Sequence, residues 1–267
     1  MSAMERAEDA ASLLSWLGDR PAEEGVTGYA PDGWEASTWI LHAMYENPAL
    51  ERLGTHDELH RRRLNAGEIE PLIIGDVNLD EATSVVGTPL GFVIKPGRPW
   101  RRVRWGDYLA RTPEFHGDRS YPPSDRWFPH ASWPVAVEPP PEASLDEESL
   151  GALLDTLAAQ SPSGDAIRCY AFYAALPASD FDTVHLWQGP LSAVPELIQD
   201  NGGPYQCSPT NLWPLDRSWF VWTDWDLQAT RVSGTRTLID AIRATPALET
   251  IEWSSSMTNC DPTTQQG

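Results

Sequence analysis

Residues 213–233 read WPLDRSWFVWTDWDLQATRVS, and the fold class turns on them. β-Branched and aromatic residues dominate 218–224, and with 227–233 after it the stretch reads as a pair of strands. Side chains alternate across a strand. Trp219, Val221, Thr223, Trp225 and Leu227 therefore share one face, which reads as core. Phe220, Trp222, Asp224 and Asp226 share the other, which sets two carboxylates beside two aromatics.

The elements around this pair follow the same logic. Ser144 and Glu147 form a capping box for a helix to about Gln160, with Leu145, Leu150, Leu153, Leu154 and Leu157 as its apolar stripe. Residues 167–175 and 182–187 read as strands, 191–199 as a short helix and 200–217 as a loop. Leu238, Ile239 and Ile242 mark a helix, and 247–253 a last strand. Adjacent strand pairs between helices predict an α+β fold, with an antiparallel or mixed sheet and flanking helices.

Eight prolines fall within 113–142, so no regular element is expected to run through that stretch. It reads as a Pro-rich connector, packed by Trp127, Phe128 and Trp133. It divides an N-terminal α+β module, 1–112, from a C-terminal one, 143–253, with a polar tail over 254–267. In the first module, 2–17 reads as an amphipathic helix capped by Ser2 and stopped at Gly18. Its stripe is Ala7, Ala10, Leu14 and Leu17. Residues 36–46 fit helix or strand equally. Thr55 and Glu58 form a capping box for a helix through Leu64. Residues 71–75, 90–94 and 100–105 read as strands, with a helix from Asp107.

The chain has 267 residues and a net charge of −20. That balance argues against a general nucleic-acid binder, which must neutralise phosphates, and against docking on an anionic membrane. Residues 113–267 carry 7 basic and 21 acidic side chains, so the back half is the anionic half and suits a basic partner. No apolar run is long enough for a transmembrane helix. Glu5, Glu8 and Asp9 stand where a signal peptide needs positive charge, so a cytoplasmic protein is expected. Cys169, Cys207 and Cys260 are widely spaced and form neither a disulfide framework nor a zinc motif.

Several constellations resolve into turn or surface chemistry. His56 and His60 share a helix face, but the glutamate of the zincin pattern is one place late, and Asp57–Arg61 and Glu58–Arg62 pairs explain the segment. Asp76 to Glu81 opens like a calcium loop, yet Gly87 stands where the bidentate glutamate belongs. Asp180 and Asp182 fit a turn. Arg98, Arg101, Arg102 and Arg104 could hold a phosphate or an acidic partner, but a solvated strand face or an intramolecular match to the acidic half explains them more simply. Nucleotide, dinucleotide and serine-hydrolase motifs are absent, and no cofactor or metal is called for.

The plainest reading of the 213–226 block is that Asp224 and Asp226 end the strand and cap a turn while the tryptophans fill a core. The carboxylates could also bind a divalent metal, and two further functions are compatible. Trp213, Asp216, Trp219, Trp222, Asp224 and Asp226 suit an anionic, Trp-anchored interface for a basic protein. The alternative is a small-molecule or carbohydrate-acting enzyme using Asp224 and Asp226 with His185 or Asp182. Cys207 beside His185 is a further nucleophile candidate. The interface is preferred, because it also uses the charge of the back half.

The stretch SPTNLWPLDRSWFVWTDWDLQATRVSG, with TLIDAI and ALETIEW after it and EPLIIGDVNLDEATSVVG and WILHAMYE before it, resembles a group of uncharacterised actinobacterial proteins over about residues 39–253. The strand–strand–helix–strand ending is similar in pattern to immunity proteins of bacterial toxin systems, including the SUKH type. The second likeness implies a protein that binds and occludes a toxin. Neither lends a catalytic residue to any position here.

Overall fold

A computed structural model describes residues 3–17, 31 and 33–254. The fold is α+β. In chain order it runs β1 (Glu5–Arg6), α1 (Ala10–Leu14), β2 (Ala36–Leu41), β3 (Met44–Glu46), α2 (His56–Asn65), β4 (Ile73–Ile74), β5 (Val77–Asn78), α3 (Leu79–Ala82), β6 (Arg101–Val103), α4 (Trp105–Leu109) and β7 (Val137–Glu138). It continues with α5 (Glu147–Ala159), β8 (Arg168–Tyr173), α6 (Ala175–Ala178), β9 (His185–Pro190), β10 (Asn211–Pro214), β11 (Trp219–Thr223), β12 (Ala229–Gly234), α7 (Arg236–Ala244) and β13 (Glu249–Ile251).

The expected strand pair is β11–β12, antiparallel, with Val221 opposite Val232 and Trp222 opposite Arg231. It lies in the middle of an eight-stranded sheet of order β1-β9-β8-β10-β11-β12-β2-β13. Every neighbouring pair in that sheet is antiparallel. β10 fills the gap between β8 and β11 inside the stretch expected to be loop. Its Gly-, Pro- and Asn-rich surroundings signal turn, but Pro214 ends the strand, where a missing N–H is tolerated.

Both faces of the sheet are covered. Trp219 and Val221 pack with Leu150, Leu153 and Leu157 of α5 and Leu238, Ile239 and Ile242 of α7. Phe220 and Trp222 pack with Trp39, Trp105, Trp127, Phe128 and Trp133. Nine of the thirteen tryptophans belong to this second layer, so it is filled by large rings where the first is filled by helices.

Much of that aromatic layer is the Pro-rich stretch. Prolines bring no N–H that burial would leave unpaired, and their carbonyls still accept. Gln228 donates its side-chain amide to the Pro140 carbonyl at 3.0 Å and its backbone N–H to that of Pro123 at 3.1 Å. His42, fully buried, donates from Nδ1 to the Pro141 carbonyl at 2.6 Å. Burial lowers the His42 pKa to about 4, so its Nε2 accepts from the Thr230 hydroxyl at 3.0 Å.

The division at 113–142 does not separate two bodies. β2, from the first half, pairs with β12 on one side and β13 on the other. β3 pairs with β6 and with β7, which lies inside the Pro-rich stretch.

Other elements differ in extent. Residues 5–6 pair with β9 instead of entering a helix, and α1 begins only at Ala10. The predicted stripe still packs, with Leu17 buried and Ala7, Ala10 and Leu14 against the aromatic layer. Ser2 and Gly18 lie outside the described residues, as do Cys260 and most of the polar tail. α2 forms with both halves of its capping box. α5 is capped by Asp146, because the Ser144 hydroxyl is engaged with Ser208 and the Leu145 carbonyl. Residues 191–197 form a 3₁₀ helix with Pro195 inside it, and 90–94 form no strand.

Candidate protein-binding surface

The face expected to carry the interface is interior. Trp213, Trp219, Trp222 and Asp224 are 1%, 3%, 4% and 2% exposed. The alternation was sound, but the 105–133 layer covers the side assigned to solvent. Asp216 and Asp226 remain exposed, each in a turn. The Asp216 carboxylate accepts the Ser218 N–H at 3.0 Å, and that of Asp224 accepts the Asp226 N–H at 3.1 Å. These are Asx turns at the two ends of β11.

The carboxylates and His185 do not form one constellation. His185 Nε2 is hydrogen-bonded to the Asp180 carboxylate at 2.9 Å, and Nδ1 to the Tyr205 hydroxyl at 2.7 Å. That hydroxyl accepts in turn from the Trp187 indole at 2.7 Å. The contact with His185 draws the Asp180 pKa down to about 2. Asp182 only closes the turn, through its N–H to Asp180. Cys207 is buried and burial pushes its thiol up to about 11, which removes the thiolate a nucleophile needs. Cys169 is pushed up to about 12 in the same way.

The arginines of 101–104 are matched within the molecule. Arg101 pairs with Glu46, Arg102 reaches Glu148 and the Ala247 carbonyl, and Arg104 reaches the Pro246 carbonyl. On α2, His60 bonds Asp80 and Arg61 bonds Asp57, each at 2.7 Å. The expected Glu58–Arg62 pair is replaced, since Glu58 caps the helix and Arg62 donates to the Leu53 carbonyl. Among the described residues, no group of three or more His, Cys, Asp or Glu is arranged to hold a metal ion. No helix among them is long and apolar enough to cross a membrane.

The surface that stands out lies over 72–94. β4 and β5 form a hairpin, Ile73 opposite Asn78 and Ile74 opposite Val77. Gly75 supplies the left-handed φ of +60° that a two-residue turn calls for. Leu72, Ile73, Ile74 and Val77 are 56%, 60%, 62% and 52% exposed. Val85, Val86, Leu90 and Ile94 continue the apolar exposure along the chain.

An isolated hairpin is marginal in water, so something else must hold this one. The hold is polar. The Asp80 carboxylate accepts from the Leu72 N–H and from His60, both at 2.7 Å. The Val85 N–H donates to Asp57 at 3.1 Å, and Ser132 donates to the Val85 carbonyl at 2.7 Å. Polar groups fasten the frame inward and leave the aliphatic side chains in solvent. Between 66 and 96 there are five carboxylates and one lysine, so the segment that carries the apolar group is itself net negative.

The sequence reading missed this surface, because 71–75 and 90–94 passed as ordinary strands. The available signal was IIGDV, a hairpin turn flanked by apolar residues, standing beside Pro71 with no third strand to cover it. A smaller apolar group, Leu176, Phe181 and Val184, is exposed around Asp180.

No family model, no curated protein and no solved structure matches the chain.

Proposed function

We propose that the protein is an acidic binding module of immunity type, which engages and occludes a basic toxin or effector through the 72–94 surface. The observation that carries this reading is the exposure of Leu72, Ile73, Ile74 and Val77 on a hairpin held by polar contacts. Large exposed apolar groups with polar rims mark interaction sites. Aliphatic contact supplies affinity, and the net charge of −20 supplies steering toward a basic partner. The buried tryptophans hold the sheet and take no part in contact.

The test compares wild type with the triple variant Ile73→Ser, Ile74→Ser, Val77→Ser as bait in lysate of the native host, at low and high salt. One stoichiometric basic protein, held by wild type, weakened by salt and lost from the variant, is the expected result. Equal capture by wild type and variant rules out the hairpin as the contact. Absence of a stoichiometric basic protein at either salt rules out the module.

A further inference from the structure

A pocket of about 210 Å³ lies at the end of the small β6-β3-β7 sheet, apart from the 72–78 hairpin. Three stretches of chain converge on it. The end of β3 and the turn after it bring Glu46 and Glu51. α4 and the turn after it bring Tyr108 and Arg111. The Pro-rich stretch brings His130 and Val137. The remaining wall is Pro48, Pro134, Ala136 and Thr112, whose hydroxyl donates to the Leu109 carbonyl at 3.2 Å.

The electrostatics begin at Glu46, whose carboxylate is buried. Arg101 donates to one oxygen at 2.8 Å and Arg111 to the other at 2.7 Å. Two guanidiniums thus share one carboxylate, and Glu51, which also lines the pocket, brings the local sum to zero in a chain that is otherwise strongly acidic. Burial pushes the Glu46 carboxyl up, but the two guanidiniums more than offset it and hold it below the ordinary range. The carboxylate therefore stays ionised and keeps both arginines in place. The Arg111 guanidinium also lies over the Tyr108 ring, 5.2 Å from its centroid, which fixes its plane.

Beside Arg111, the Tyr108 hydroxyl is 2.8 Å from His130 Nε2. Burial lowers the His130 pKa and raises that of Tyr108 to about 12, so both are neutral at pH 7. Tyr108 then donates to Nε2, and the His130 proton resides on Nδ1. The pocket thus sets one fork-shaped cation beside the Glu46 and Glu51 carboxylates, a Tyr108–His130 pair and a partly apolar wall.

We propose that this pocket binds a small monocarboxylate with an apolar body, its carboxylate against Arg111 and its body against Val137 and the prolines. Arg matches a carboxylate through two parallel hydrogen bonds. A cation is opposed by Arg111. A dianion such as phosphate sets twice the charge of a monocarboxylate against Glu46 and Glu51. The volume is below the ~300 Å³ at which sites for drug-sized ligands begin, so the ligand is small.

Calorimetric titration of the full chain at pH 7 tests this, with benzoate and 3-methylbutanoate as probes and benzamide as the neutral counterpart of benzoate. At least one carboxylate is expected to bind with one site per chain, and benzamide about tenfold more weakly than benzoate or not at all. Arg111→Gln is expected to weaken carboxylate binding about tenfold, with Glu46 still paired to Arg101. Glu51→Gln removes a negative charge from the exposed rim and is expected to strengthen binding severalfold, a gain that a misfolded variant cannot give. Failure of both carboxylates to saturate at millimolar concentration overturns the proposal. So does equal binding of benzoate and benzamide, an unchanged affinity in Arg111→Gln, or a weakened one in Glu51→Gln.

Discussion

Glu142 shows how a single residue answers to the carboxylates that were first read as a functional pair. It is half-buried, and burial, with Asp125 and Asp226 facing it, raises its pKa from 4.5 to about 7. A carboxyl whose folded pKa is raised holds its proton in the folded state after the unfolded chain has released it. The contribution of Glu142 to stability is therefore largest below pH 4.5, falls as pH rises from 4.5 to 7, and is level above that. Glu142→Gln removes the loss. The variant is expected to match wild type near pH 4 and to exceed it by up to about 3 kcal/mol at pH 8. Urea unfolding at the two pH values checks this, and an equal offset at both would rule out the titration. Asp226 thus acts on a neighbouring carboxyl, while Asp224 ends β11 from within the core.

At the scale of elements, Asp146 joins two parts of the chain that lie a hundred residues apart. Its carboxylate is buried, accepts the Ser149 N–H at 3.0 Å as the cap of α5, and accepts the Ala43 N–H at 2.8 Å. Asp146→Ala loses the cap and leaves the Ala43 N–H buried without its acceptor. Together these are expected to cost about 3 kcal/mol. Asp146→Asn keeps one acceptor oxygen but turns its NH₂ toward the other N–H donor, so it is expected to lose at least half of that, read by the same urea midpoints. The comparison also shows what was legible beforehand. The Leu150, Leu153 and Leu157 stripe, the α2 capping box and the β11–β12 pair are local patterns, and all three form. Asp146 as cap was not legible, because choosing it over Ser144 depends on Ser208, which reaches Ser144 only through the fold. β10 was hidden for a related reason, since two neighbouring strands impose extension on a sequence with turn composition. The face of Trp222 and Asp224 was assigned correctly by alternation, but what covers a face is a tertiary fact. The hairpin itself was readable in IIGDV, but only the whole fold shows that nothing packs on its aliphatic side chains.

For the whole molecule, the order of strands makes a sharper statement than composition could. β13 has β2 as its sheet partner, and β2 also completes β12, so the C-terminal half cannot close its own sheet. The aromatic layer that covers Phe220, Trp222 and Ala229 comes from residues before 143. A fragment of residues 143–254 would therefore expose a wide apolar face and the bare edge of β12, a surface that invites association. It is expected to show strand and helix signals without a cooperative thermal transition, and to bind a hydrophobic dye. Supplying residues 1–142 as a separate chain offers β2 and the aromatic layer back. The mixture is expected to regain a cooperative transition and to release the dye, as two halves of one sheet should. Cooperative melting by the fragment alone would mean that the two halves are separate bodies after all, and that the pairing of β2 with β12 contributes little to stability.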